Sequence, residues 1–210
     1  MYMRVLLIDT CGESAGVALC KDGVSLRGIE FSDRGASAGI VAAVRELLAA
    51  EGWKATELDG VGVVNGPGSF TGVRAGVAAA KGLCEATGLK PAAVSRLAVL
   101  CEAADMRKGF AVLRAGRDEF YVRDAASGRE WMSSQGDFMQ QAEGHAVIVS
   151  EKSVWEVMSK LRPQLLHLYV EDAIDLVEKA LRDGGIDVAQ LDANYVRGES
   201  EIYKKAGASR

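Results

Sequence analysis

The order of apolar periods in the first hundred residues leaves few folds open. Short apolar runs at residues 4–10, 14–21 and 24–31, the last two separated by the turn pair Asp22-Gly23, read as three strands joined by hairpins. Residues 37–50 change to helical spacing, with Ile40, Val41, Val44, Leu47 and Leu48 on one side, Ser37 as N-cap and Gly52 as stop. A buried-strand pattern at 60–65 leads into a second helix that runs to about Thr87 and closes at Gly88. A strand at 92–94 and a helix from Ser95 to about Met106 complete the half. The order β-β-β-α-β-α-β-α is the α/β pattern of ribonuclease-H-like and actin-like ATPase lobes.

Residues 107–210 predict a smaller, reduced second α/β lobe, so the boundary falls between 1–106 and 107–210. Its elements read as strands at 110–113 and 120–123, a helix at 137–142, a strand at 146–149, a helix at 154–161, a strand at 165–168 and a helix at 173–183. The two halves are compatible with a degenerate duplication. The tail after Gly198 is charged and expected to be loose.

A chain of 210 residues builds a core without staples. Cys11, Cys20, Cys84 and Cys101 form no paired ligand or redox spacing and read as buried, reduced thiols. With 25 Lys plus Arg against 29 Asp plus Glu, the net charge of -4 argues against an unaided grip on phosphate backbones. Arg114, Arg117 and Arg123, like Lys204, Lys205 and Arg210, read as solvated charge. The run Val5-Leu6-Leu7-Ile8 is too short for a signal core, and no stretch nears about 18 uninterrupted apolar residues, so a cytoplasmic protein without membrane contact is expected.

On the second helix Arg74, Lys81 and Glu85 fall in one narrow stripe at about 100° per residue, and the rest is apolar or tiny. Gly72, Gly76, Ala80 and Cys84 recur every four residues, a strip on which another helix can pack. On the first helix Ala42, Ala43, Ala49 and Ala50 cover much of the expected solvent side. Two destinations fit this surplus: cover by the second lobe, or an exposed platform for a protein partner or a second copy.

The loop from Gly66 reads G-x-G-x-x-x-G, one residue off a dinucleotide fingerprint, and lacks the Lys-Ser/Thr of a P-loop. It suits an anion at a helix N-terminus, and equally a tight corner with Ser69 or Thr71 capping the helix. Asp9-Thr10 ends the first strand where an actin-like ATPase places an acid near magnesium. The second acid and the adenosine pocket are not found, and Gly184-Gly185 reads as a helix C-cap. His145 and His167 border strands without a nucleophile elbow and read as structural.

Together, Asp9-Thr10, Gly16-Val17-Ala18-Leu19 and above all Gly66-Pro67-Gly68-Ser69-Phe70-Thr71-Gly72-Val73-Arg74 resemble the TsaB (YeaZ) family of bacterial tRNA threonylcarbamoyladenosine biosynthesis. The resemblance spans residues 3–100, thins afterwards and returns at Tyr195-Val196-Arg197. It implies a degenerate actin-like ATPase fold that acts as a non-catalytic scaffold for a TsaD-type transferase and a TsaE-type ATPase. ATP and a divalent metal are then expected on those partners and no cofactor on this chain. By the same resemblance, transfer RNA is expected to be contacted only through the complex, and the chain alone is expected to form a homodimer. The resemblance also places the partner interface on the first two helices, at Ile40, Val44, Leu47, Gly72, Gly76, Val77, Ala80, Leu83 and Cys84. It leaves Asp9, Thr10, Gly66, Gly68 and Ser69 as residual phosphate-loop positions, with no catalytic or metal-binding residue.

The chain departs from the family pattern at Ala36-Ser37, at Arg114-Ala115-Gly116-Arg117-Asp118-Glu119-Phe120-Tyr121 and at Ala193-Asn194-Tyr195-Val196-Arg197. An alternative function is a small actin-like ATPase or kinase using Asp9 and the Gly66–Gly72 loop. A peptidase would need Ser69 or His145, and no base lies near either nucleophile candidate.

Overall fold

The computed structural model describes residues 3–31 and 36–196. The side chain of Ser37, the residue Arg197 and the charged tail lie outside the described residues.

Three strands open the fold, β1 (Arg4–Asp9), β2 (Gly16–Lys21) and β3 (Val24–Glu30), joined as antiparallel hairpins. Helix α1 (Ala36–Ala50) leads to β4 (Gly60–Val64), and α2 (Phe70–Thr87) to β5 (Pro91–Val94) and α3 (Arg96–Ala103). The sheet order is β3-β2-β1-β4-β5, with β4 parallel to β1 and β5 parallel to β4. Central β1 is apolar on both faces because both are covered, whereas the edge strand β3 is exposed along most of its length.

The second half contains β6 (Phe110–Arg114), β7 (Glu119–Asp124), β8 (Glu130–Ser134), α4 (Gln135–Gln141), β9 (Val147–Val149), α5 (Lys152–Val157), β10 (Gln164–Leu165) and α6 (Ile174–Arg182). Its sheet order is β10-β9-β6-β7-β8, with β6, β7 and β8 antiparallel and β9 and β10 parallel to β6. Read from the other edge, this is the topology of the first sheet strand for strand, a repeat compatible with the degenerate duplication the sequence suggests. The architecture is the actin-like, ribonuclease-H-like α/β fold expected.

Three elements depart from the sequence reading. Strand β8 went unread, because Glu130-Trp131-Met132-Ser133-Ser134 is half-exposed and does not alternate. The helix at 154–161 splits into α5 and a 3-10 turn at Ser159–Leu161, and the strand at 165–168 shrinks to the two residues of β10.

The described residues form two compact units, one from residues 3–31, 36–99 and 168–193, the other from residues 100–167 with 194–196. The sequence reading drew a single crossing at residue 106, whereas the chain returns to the first unit at Leu168. The reason is α6: Val177 and Leu181 press on Gly62 and Gly60 of β4, where a Cβ would collide. Ile8 of β1 touches α2 at Gly76, while its neighbour Leu7 faces Gly62 and α6, so the two helices cover opposite faces of the first sheet.

The second unit is built around Phe110, Val112, Phe120, Val122, Phe138 and Met158. Phe138 meets Phe110 edge-on at 5.7 Å between centroids and Phe120 at 6.1 Å. All four cysteines are free and buried.

Candidate functional site

Asp9, Val64 and Val94 are register partners at the carboxyl ends of parallel strands β1, β4 and β5. Everything singled out in the first hairpin and the glycine loop meets at this edge. Asp9 and Thr10 are buried, and Asp9 Oδ1 accepts from the Cys11 amide at 2.8 Å. Thr10 Oγ1 donates to the Gly72 carbonyl at 2.6 Å, and Cys11 Sγ donates to the Val64 carbonyl at 3.0 Å. The Ser69 amide donates to the Cys11 carbonyl at 2.8 Å, so hairpin and loop are stitched by backbone and side chain alike.

The loop is a corner. The peptide between Gly66 and Pro67 is cis, and Gly66 has φ 107°, which favours glycine. Ser69 caps α2, its hydroxyl accepting from the Gly72 amide at 3.4 Å, and Gly88 ends the helix in the left-handed region at φ 73°. Gly68 sits against the Cys11 carbonyl and Gly72 against that of Thr10, both too close for a Cβ. Ser95 Oγ accepts from the Leu97 amide at 3.2 Å, as expected of a cap for α3, and the Arg96 amide donates to the Gly66 carbonyl at 2.8 Å.

Arg96 is the residue that sequence reading missed. It is only 5% exposed, and a Cβ on Gly12 would overlap its guanidinium, with Nη1 at 2.9 Å. Burial pushes the Asp9 carboxyl up, while the charge of Arg96 and the Cys11 amide pull it back. Burial, reinforced by Asp9, pushes the Cys11 thiol well up, so it stays a protonated donor. The available signal was an arginine opening the otherwise apolar helix Arg-Leu-Ala-Val-Leu-Cys. Among the described residues no three His, Cys, Asp or Glu gather as a metal set.

The two helices need a correction. Ile40, Val44, Leu47, Gly76, Val77, Ala80 and Cys84 are buried within the single chain, Gly72 and Leu83 are half-buried, and the strip Gly72-Gly76-Ala80-Cys84 faces the chain's own sheet. Its two glycines are glycines because Thr10 lies against both Gly72 and Gly76. The true outward face is offset from this strip. On α1 the buried stripe is Ile40, Ala43, Val44, Leu47 and Leu48, which leaves Val41 67% exposed beside Ala42, Arg45, Glu46, Ala49 and Ala50. On α2 the exposed residues are Phe70, Thr71, Arg74, Ala78, Gly82, Glu85 and Ala86. Phe70 is 59% exposed, with the Arg74 guanidinium 3.9 Å from its ring centroid.

Of the remaining candidates, Gly184 and Gly185 do end α6, the Gly185 amide donating to the Ala180 carbonyl at 2.9 Å. His145 and His167 are exposed, and the His145 ring lies 5.3 Å from that of Phe110.

Comparison with known proteins agrees with the fold. The model of the family described as "TsaD: tRNA N6-adenosine threonylcarbamoyltransferase" matches residues 30–157. The tRNA threonylcarbamoyladenosine biosynthesis protein TsaB of Escherichia coli (strain K12) is 30% identical over 172 residues, 79% of this chain and 65% of that protein. Its Haemophilus influenzae counterpart is 31% identical over 155 residues, 71% of this chain and 63% of that protein. The matches thus span somewhat less than two thirds of these relatives' lengths. A solved Pseudomonas aeruginosa protein, described as uncharacterised and similar to peptidase YeaZ, superposes with a TM-score of 0.76 at 25% identity, covering 93% of this chain and 100% of that one. The chain belongs to the TsaD family, and the relatives it resembles along most of its own length are TsaB and YeaZ proteins.

Proposed function

We propose that this chain is a non-catalytic subunit of the assembly that forms threonylcarbamoyladenosine on tRNA, and that it binds and supports a TsaD-type transferase. The observation that carries the reading is the outward face of α1 and α2, where Val41, Ala42, Phe70, Ala78 and Gly82 stand exposed beside only a few charges. Small and apolar residues on two adjacent helices let a partner helix approach closely, and the Phe70–Arg74 pair is the kind of anchor that dominates interface energies. A TsaE-type ATPase joins the same assembly, a second copy covers the face when the transferase is absent, and tRNA is reached through the complex in the cytoplasm. ATP and its metal belong to the partners.

A direct test uses Gly82→Arg. A Cβ at Gly82 meets nothing within 4 Å, so the variant folds, while a charge on the docking face blocks association. Size-exclusion chromatography with the transferase should show the wild-type complex and no complex for Gly82→Arg. A folded Gly82→Arg chain that still binds removes this face from the interface.

A further inference from the structure

Three segments converge at the carboxyl edge of the first sheet: the hairpin after β1, the glycine corner before α2 and the start of α3. Backbone hydrogen bonds join Ser69 to Cys11 and Arg96 to Gly66, and the third tie is the Arg96 side chain, whose guanidinium lies against Gly12. We propose that Arg96 is a resident counter-cation of this lobe: seated against Gly12, it offsets the buried Asp9 carboxylate and holds the hairpin on the glycine corner.

The argument starts from the cost of Asp9. A carboxylate 5% exposed keeps its charge only if an opposite charge and hydrogen bonds replace lost water. The Cys11 amide supplies one hydrogen bond at 2.8 Å, and Arg96, itself 5% exposed, supplies the charge that acts on Asp9. Gly12 leaves the room that lets the guanidinium in, since any Cβ there would overlap it. A divalent cation needs carboxylate oxygens with water around them. Asp9, buried and answered by Arg96, does not offer that setting. In the second unit the topologically equivalent end of β6 carries Arg114 in place of an acid. The strand-to-helix corner there, Ser150-Glu151, contains no glycine. Among the described residues, neither unit taken by itself therefore has the residues of a metal–phosphate cradle, and the first one carries its cation in the chain.

The test is a double-mutant cycle on the full chain. Arg96→Met keeps an unbranched apolar stem and removes the charged guanidinium, and it should lower Tm by about 10 °C by leaving Asp9 buried and uncompensated. Asp9→Asn keeps the Oδ1 that accepts from Cys11. Added to Arg96→Met, it should recover at least half of that loss, while Arg96→Lys should lose less than Arg96→Met. If Arg96→Met does not fold, recovery of a folded chain by the double variant carries the same meaning. A double variant that recovers less than half, or stays unfolded, overturns the counter-cation role, as does an Arg96→Lys chain as unstable as Arg96→Met. This inference does not depend on any partner, so it stands or falls separately from the docking face.

Discussion

Thr10 reaches across the sheet edge to Gly72: its hydroxyl donates to the Gly72 carbonyl at 2.6 Å, and its own carbonyl occupies the space a Gly72 side chain would need. The first turn of α2 is thereby fixed by the first hairpin. Thr10→Val keeps the shape and deletes the donor, leaving a carbonyl short of its partner. It should cost about 1–2 kcal/mol in urea unfolding, with Thr10→Ser close to wild type.

The helix glycines should divide sharply. Gly76→Ala drives a methyl into Thr10 Oγ1 and should destabilise by about 1–3 kcal/mol. Gly82→Ala enters open space in an exposed helix interior and should stabilise by up to about 1 kcal/mol. Charges at Gly76 or Ala80, both buried, should unfold the chain rather than merely block association. Thermal unfolding of the three kinds of variant decides the ranking.

The contrast marks where the sequence was legible. Nearly every element of the first unit could be read, because its strands are apolar runs and its helices carry caps and stops at Ser69, Gly88 and Ser95. Periodicity identifies a stripe of small residues but not what lies against it, so Gly72, Gly76, Ala80 and Cys84 pointed to a partner, whereas Gly72 and Gly76 lie against the chain's own Thr10 and Ala80 and Cys84 are buried within the chain. Val41 was placed with the core because it is apolar, although its angular position sets it outside the buried stripe. Arg96 escaped because its neighbours, Gly12 and Asp9, lie far away in sequence. In the second unit, β8 carries too little apolar alternation to be distinguished from a loop.

The thiols give a chemical check. Burial pushes Cys20 up to about 12 and Cys84 up to about 11, and it raises Cys11 and Cys101 as well. Iodoacetamide at pH 8 should leave all four unmodified in the folded chain and label all four in denaturant. Rapid labelling of the native chain would contradict the packing described around Cys11.

Asp124 sets a small acid limb. Its carboxylate accepts from the Ala126 and Ser127 amides at 2.9 and 2.8 Å, which holds its pKa below the usual carboxylate value. A depressed folded pKa contributes stability above the unfolded value of 3.8 that is lost as the pH falls through the folded one. Asp124→Asn should therefore unfold with a shallower loss of Tm below about pH 4 than wild type, measured by circular dichroism.

The central claim is that the chain supports another protein's chemistry through the outward face of α1 and α2. The most direct measurement is threonylcarbamoyladenosine formation on tRNA by the reconstituted partner proteins, run without this chain, with it, and with Gly82→Arg. The account predicts product only when the wild-type chain is present, and little or none with Gly82→Arg. Full activity in its absence contradicts the account.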